Sequence, residues 1–162
     1  DFIAEPRKKY FRVFPGNEVR LMIAYFVTCT SFEKDENGKV TVVHCTYDPE
    51  TKSGSGFNGR KVKGTIHWVS AEHAGQVECR LYENIVDEEK GKLNADGTLN
   101  LNPNSKTVTM AYVEPALMEA RAYDSFQFVR NGFYCVDCKD SEEGKPVYNR
   151  IVSLKSSFRL PK

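Results

Sequence analysis

Phe126-Gln127-Phe128-Val129-Arg130-Asn131-Gly132-Phe133-Tyr134-Cys135-Val136-Asp137 sets an Asn-Gly pair between two short runs rich in aromatic and β-branched residues. Such runs favour strands, and Asn-Gly favours a two-residue type I′ loop because both residues tolerate positive φ. That loop predicts a hairpin with Arg130 opposite Phe133 and Phe128 opposite Cys135. A second pair, Asn37-Gly38, predicts another hairpin over residues 26–47. Upstream of it, Val19, Leu21, Ile23, Tyr25, Val27 and Cys29 alternate with Arg20, Met22, Ala24, Phe26, Thr28 and Thr30. This two-residue period is that of one strand using both faces.

Further strands are expected at 62–69, 77–82, 107–113 and 147–154, with turns at Asn58-Gly59 and Asp96-Gly97. Helical periodicity is confined to 115–121, where Pro115 suits a first turn and Ala116, Leu117, Met118, Glu119 and Ala120 follow, so one short helix is expected there. Many short strands at this spacing imply an all-β barrel or sandwich. Ser53-Gly54-Ser55-Gly56 is the nearest thing to a linker, and no internal repeat or low-complexity tract interrupts the chain.

With 162 residues, 40% hydrophobic and 28% charged, the chain has the size of one domain or two small ones and is no disordered tail. Twenty-three Lys and Arg against 22 Asp and Glu give a net charge of +1, which excludes a uniformly basic coat or an acidic tail. No stretch approaches the roughly 20 apolar residues of a membrane helix, and no secretion signal opens the sequence. The expected chain is soluble and unprocessed. Five cysteines, Cys29, Cys45, Cys79, Cys135 and Cys138, are odd in number and scattered, which favours reduced thiols and a cytoplasmic location.

Charge is polarised locally. Arg7, Lys8, Lys9, Arg12 and Arg20 face only Glu18 across residues 7–20, and Lys145, Arg150, Lys155, Arg159 and Lys162 face no acid across 144–162. Glu83, Asp87, Glu88, Glu89 and Asp96 dominate 83–97. Basic runs interleaved with Tyr10, Phe11, Phe14, Phe126, Phe128, Phe133, Tyr134 and Tyr148 suit a nucleic-acid surface, and the same aromatics suit a barrel core.

The enzyme-like motifs are weak. Gly54-Ser55-Gly56-Phe57-Asn58-Gly59 spells GxGxxG, yet Arg60-Lys61-Val62-Lys63 leads into a strand rather than a helix, so it reads as a loop whose basic end reaches phosphate. Cys135-Val136-Asp137-Cys138 lacks the second ligand pair of a structural zinc site, and no metal is expected. His67, between Ile66 and Trp68, reads as a hydrogen-bonded structural histidine; His73, Ser70 and Cys79 make no specific nucleophile pattern with it. Asp87, Glu88 and Glu89 read as a solvated run.

Several segments together resemble the C-terminal anticodon-binding region of glutaminyl-tRNA synthetase, a class I family: YFRVFPGNEVRLMIAY at 10–25, CTYDPET at 45–51, GRKVKGTIHWVSAEHAGQVECRLYE at 59–83, NPNS at 102–105, VEPAL at 113–117 and FQFVRNGFYCVDCKDSEEGKPVYNRIVSLKSSF at 126–158. IHWVS and the FQF-x-R-x-G-aromatic-aromatic run are the most specific. The resemblance implies two consecutive β-barrels gripping a tRNA anticodon stem-loop, with residues 1–70 as the distal barrel and 71–162 as the returning, C-terminal part of the proximal one. It also implies an excised piece with an open sheet edge, because the opening proximal strands have no counterpart.

The family's ATP- and Mg-dependent catalytic domain, which attaches glutamine, has no motif here, so no catalytic residue or cofactor is expected in this chain and it should be inactive alone. Implied partners are the tRNA(Gln) anticodon stem-loop and the catalytic domain of the same polypeptide, in a monomer that binds neither membrane nor DNA. Arg12 matches the arginine reading the third base, a guanine, and Arg20 a residue at the first base. Gln127 and Arg130 match positions around the middle uracil, and Lys8, Lys9, Arg60 and Lys61 are expected phosphate contacts. Met22 and Val129 depart from the pattern, replacing an arginine at the first base and an acid at the middle one; Met22 implies tolerance of cytosine or uracil. The alternatives are a glutamyl-type or nondiscriminating synthetase, and a stand-alone RNA-binding barrel similar to ribosomal proteins that bind 5S rRNA.

Overall fold

The computed structural model describes residues 1–87 and 90–154, and its regular structure is almost wholly strand. The chain divides into two compact units, Asp1–Trp68 and Val69–Lys162.

In the first unit β1 (Glu18–Leu21), β2 (Phe26–Lys34), β3 (Val40–Asp48) and β4 (Thr65–Ile66) form a sheet in the order β3-β2-β1-β4. The continuous alternation at 19–29 is therefore two strands and not one. β1 and β2 pair antiparallel, Val19 opposite Val27, around a turn in which Ile23 takes φ 57°. The Leu21 N–H donates to the Tyr25 carbonyl at 2.9 Å, the Met22 N–H to Ile66 at 2.9 Å, and the Trp68 indole N–H to the Met22 carbonyl at 3.0 Å. Segments distant in sequence thus satisfy the turn's backbone, which the local pattern does not reveal.

The expected 26–47 hairpin forms with a different loop. Gly38 alone takes positive φ, and Asp35 pairs with Lys39 and Gly38, giving a three-residue loop in place of type I′. The Asp35 carboxylate accepts from the Asn37 and Lys39 N–H groups at 3.0 and 2.8 Å, which favours this geometry. Of the strand expected at 62–69, only Thr65–Ile66 pairs, parallel to β1. The core of this unit is Val19, Val27 and Ile66, flanked by Val13 and Leu21.

The second unit orders β5 (Gly75–Tyr82), β6 (Lys106–Val113), β7 (Ser125–Phe128), β8 (Gly132–Val136) and β9 (Val147–Ser153) as β6-β5-β9-β8-β7. The decisive hairpin is present in a shifted register: Phe128 lies opposite Gly132 and Phe126 opposite Tyr134. Its loop is Val129-Arg130-Asn131, closed by the Asn131 N–H on the Phe128 carbonyl at 2.8 Å, with Arg130 at φ 66°. An odd shift reverses the faces of one strand relative to the other. The observed register puts Tyr134 with Phe126 and Phe128, so that the Phe128 and Tyr134 rings stack at 4.4 Å and Tyr148 packs against Phe128 at 5.1 Å. Burying these aromatics, each worth about 2 kcal/mol or more, outweighs the local preference of Asn-Gly.

Val77, Cys79, Val113, Tyr134, Val136 and Tyr148 form this core. The short helix expected at 115–121 is a 3₁₀ helix, Pro115–Glu119. An α-helix would pair the Leu117 carbonyl with the Arg121 N–H. Instead the Tyr148 hydroxyl donates to that carbonyl at 2.7 Å, and the Arg121 N–H donates to Asp124 at 2.8 Å.

Candidate nucleic-acid interface

In the first unit, Lys8 and Lys9 occupy an exposed turn closed by the Tyr10 N–H on the Arg7 carbonyl at 3.1 Å, with Lys9 at φ 68°. Neither ammonium is drawn into the core. Arg12 follows on the same segment with its guanidinium paired to Asp1, while its carbonyl accepts from the Asn17 side chain at 2.7 Å. The segment is held close by Gly64, whose missing side chain leaves room for the Phe11 carbonyl. Lys63 stands 5.4 Å over the Phe11 ring.

Arg20 projects from β1 and lies 4.5 Å over the Phe26 ring, with the Ser53 hydroxyl 3.4 Å from its guanidinium. Arg60 stands over the same ring at 5.2 Å and over Phe57 at 5.4 Å. Its guanidinium donates twice to Glu18, at 2.5 and 2.8 Å, and once to Asp48, at 2.7 Å. These bonds lower the pKa values of Glu18 and Asp48 and raise that of Arg60. Arg60, expected as a phosphate contact, is thus already held by two carboxylates that tie the 52–64 loop to β1 and β3. Lys61, beside it, is exposed. Sequence reasoning missed this cluster, because Glu18, Phe26, Asp48, Phe57 and Arg60 form no local motif.

In the second unit, Gln127 is exposed on β7 opposite Phe133, itself 43% exposed, and Arg130 is exposed on the adjoining loop. The hairpin therefore presents an amide, a guanidinium and an aromatic ring together, while Val129 is half-buried. Part of the basic stretch at 144–162 is engaged, since Arg150 pairs with Glu83 at 2.7 Å; Lys155, Arg159 and Lys162 lie outside the described residues, as do Glu88 and Glu89.

The other motifs have structural surroundings. Gly54 and Gly56 take positive φ in a loop that no helix follows. Cys135 is half-buried in β8, and Cys138 is exposed beyond it. Between them Asp137 accepts from the Lys139 and Asp140 N–H groups at 2.8 and 2.7 Å and from Asn149 at 2.6 Å, with Arg80 at 3.8 Å; its pKa falls to about 2. Among the described residues no group of three or more His, Cys, Asp and Glu is arranged to hold a metal ion, and no helix is long and apolar enough to cross a membrane.

Two family models described as "tRNA synthetases class I (E and Q), anti-codon binding domain" match residues 2–48 and 65–137. The chain belongs to this anticodon-binding family. Its exposed cations and amide accordingly lie on a member of an anticodon-binding family, and the all-β architecture agrees with that membership. The chain is 53% identical to a glutamine–tRNA ligase of Clostridium perfringens over 99% of its length and 29% of that protein's. It is 56% identical to a glutamine–tRNA ligase of Clostridioides difficile, covering 98% of the chain and 29% of the relative, and 51% identical to one of Cupriavidus necator, covering 98% and 27%. The chain thus spans under a third of the length of these curated relatives.

Proposed function

We propose that this chain is the anticodon-reading part of a glutamine–tRNA ligase, recognising the anticodon stem-loop of tRNA(Gln) while a catalytic domain of the same polypeptide attaches glutamine with ATP and Mg. The observation that carries the reading is identity above 50% along nearly the whole chain to ligases named for glutamine. In this proposal residues 1–70 act as the distal barrel and 71–162 as part of the proximal one.

Arg12 reads the third base. Its guanidinium is exposed on a segment fixed by Gly64, and a guanidinium fork gives guanine two hydrogen bonds. Asp1 keeps the Arg12 charge paired until binding, when the base edge displaces it. Gln127 can donate to a uracil carbonyl and accept from its imide N–H, with Arg130 on the same hairpin beside it. Arg20 lies over the Phe26 ring and serves the first base, with Met22 admitting cytosine or uracil there. Lys8, Lys9 and Lys61 hold phosphate, and Arg60 orders the loop that carries Lys61.

Titrating a labelled glutamine anticodon stem-loop against its glutamate counterpart tests the reading. Preference for the glutamine loop by tenfold or more, about 1.4 kcal/mol, is expected. Equal binding would favour a nondiscriminating synthetase, and inverted preference a glutamyl one.

A further inference from the structure

Cys29 on β2 and Cys45 on β3 are direct partners in the antiparallel ladder. The Cys29 N–H donates to the Asn17 carbonyl at 3.2 Å, and its carbonyl accepts from Gly16 at 2.9 Å, so its backbone groups turn away from β3. Cys29 and Cys45 therefore form a non-hydrogen-bonded pair, the arrangement in which facing side chains are closest, with Cα atoms about 4.5 Å apart. That spacing falls within the range a disulfide spans. A bulge follows between Cys29 and Ser31, leaving the ladder able to adjust locally. Both thiols are free; Cys29 is 1% exposed, whereas Cys45 lies at the surface. One sulfur is accessible to a reagent and the other waits behind it.

We propose that Cys29 and Cys45 form a thiol–disulfide modification site that takes a low-molecular-weight disulfide and becomes an intramolecular cross-strand disulfide. The Cys45 thiolate attacks one sulfur of glutathione disulfide, breaking its S–S bond, releasing one glutathione thiolate and forming a mixed disulfide. Cys29 then loses its proton to solvent and attacks the Cys45 sulfur, releasing the second glutathione. The protein gives up two protons and two electrons, and the glutathione disulfide is reduced to two thiols. Partial burial and the neighbouring Cys29 push the Cys45 thiol up, so its thiolate is scarce at neutral pH and the first step quickens about tenfold per pH unit below its pKa.

The test treats the full chain carrying Cys135→Ser and Cys138→Ser with glutathione disulfide at pH 7 and 8, followed by peptide mapping without reduction. The expected product links the Cys29 and Cys45 peptides, retains no glutathione, forms about tenfold faster at the higher pH, and melts at a higher temperature until dithiothreitol reverses it. Stable glutathione on Cys45 beside a free Cys29 would overturn the proposal, as would an unmodified Cys45. Cys29→Ala in the same background should trap the mixed disulfide at Cys45. The mapping of the chain with both thiols present decides the matter even if that variant folds poorly.

Discussion

Arg12→Ala and Lys8→Ala separate two kinds of contact that the sequence places four residues apart. Losing a bidentate base contact costs about 1–3 kcal/mol and relaxes choice at that base, so Arg12→Ala should weaken the guanine-bearing stem-loop more than a third-base-swapped one. Lys8→Ala should weaken both alike. Equal losses for Arg12→Ala on the two loops, read by fluorescence titration, would remove its reading role. Asp137 makes a different prediction. Its carboxylate accepts three hydrogen bonds and ionises near 2 instead of 3.8, so its contribution is present above about pH 4 and lost as pH falls through 2. Asp137→Asn should cost about 1–2 kcal/mol in urea unfolding at pH 7, and the difference from the parent chain should close toward pH 2. The residue types and motif positions were legible in the sequence. The engagement of Arg60 by Glu18 and Asp48 was not, because those carboxylates lie 42 and 12 residues away.

Most strands were legible at the element scale because period-two alternation records which face is buried. The 3₁₀ helix and the β1–β2 turn were not, since distant groups decide both: Tyr148 takes the Leu117 carbonyl, and Ile66 and Trp68 bind Met22. Gly64 ties an element to the candidate interface. An added Cβ would overlap the Phe11 carbonyl oxygen, so Gly64→Ala must displace either the Arg12 segment or the Arg20 strand, whose Arg20 N–H donates to the Gly64 carbonyl at 2.9 Å. We expect it to cost about 1–3 kcal/mol in denaturant unfolding and to reduce stem-loop affinity. Unchanged values for both would show that the loop gives way freely.

Over the whole molecule, a net charge of +1 hides opposed local charges, and the salt dependence of binding reads the local ones. With Lys8, Lys9 and Lys61 on phosphate, log K should fall against log salt with a slope near −2, about 0.7 per phosphate on single-stranded nucleic acid. Each Lys→Ala should lower the slope by about that amount, and Arg60→Ala should lower it by no more than the single Lys61 contact, because Arg60 is itself paired with Glu18 and Asp48 and orders the loop that carries Lys61. A slope near zero in the parent chain would refute phosphate contacts by these lysines.

The sequence by itself determined the all-β class and most strands, because burial alternation is written locally, while Arg12, Arg20, Gln127 and Arg130 are proposed contacts that rest on its resemblance to the family. The tertiary structure decided the register of the 125–136 hairpin, the partners of Arg60 and the facing of Cys29 and Cys45. Each depends on main-chain and side-chain groups meeting across the fold, where aromatic burial and satisfied charge outweigh the preference of any single turn.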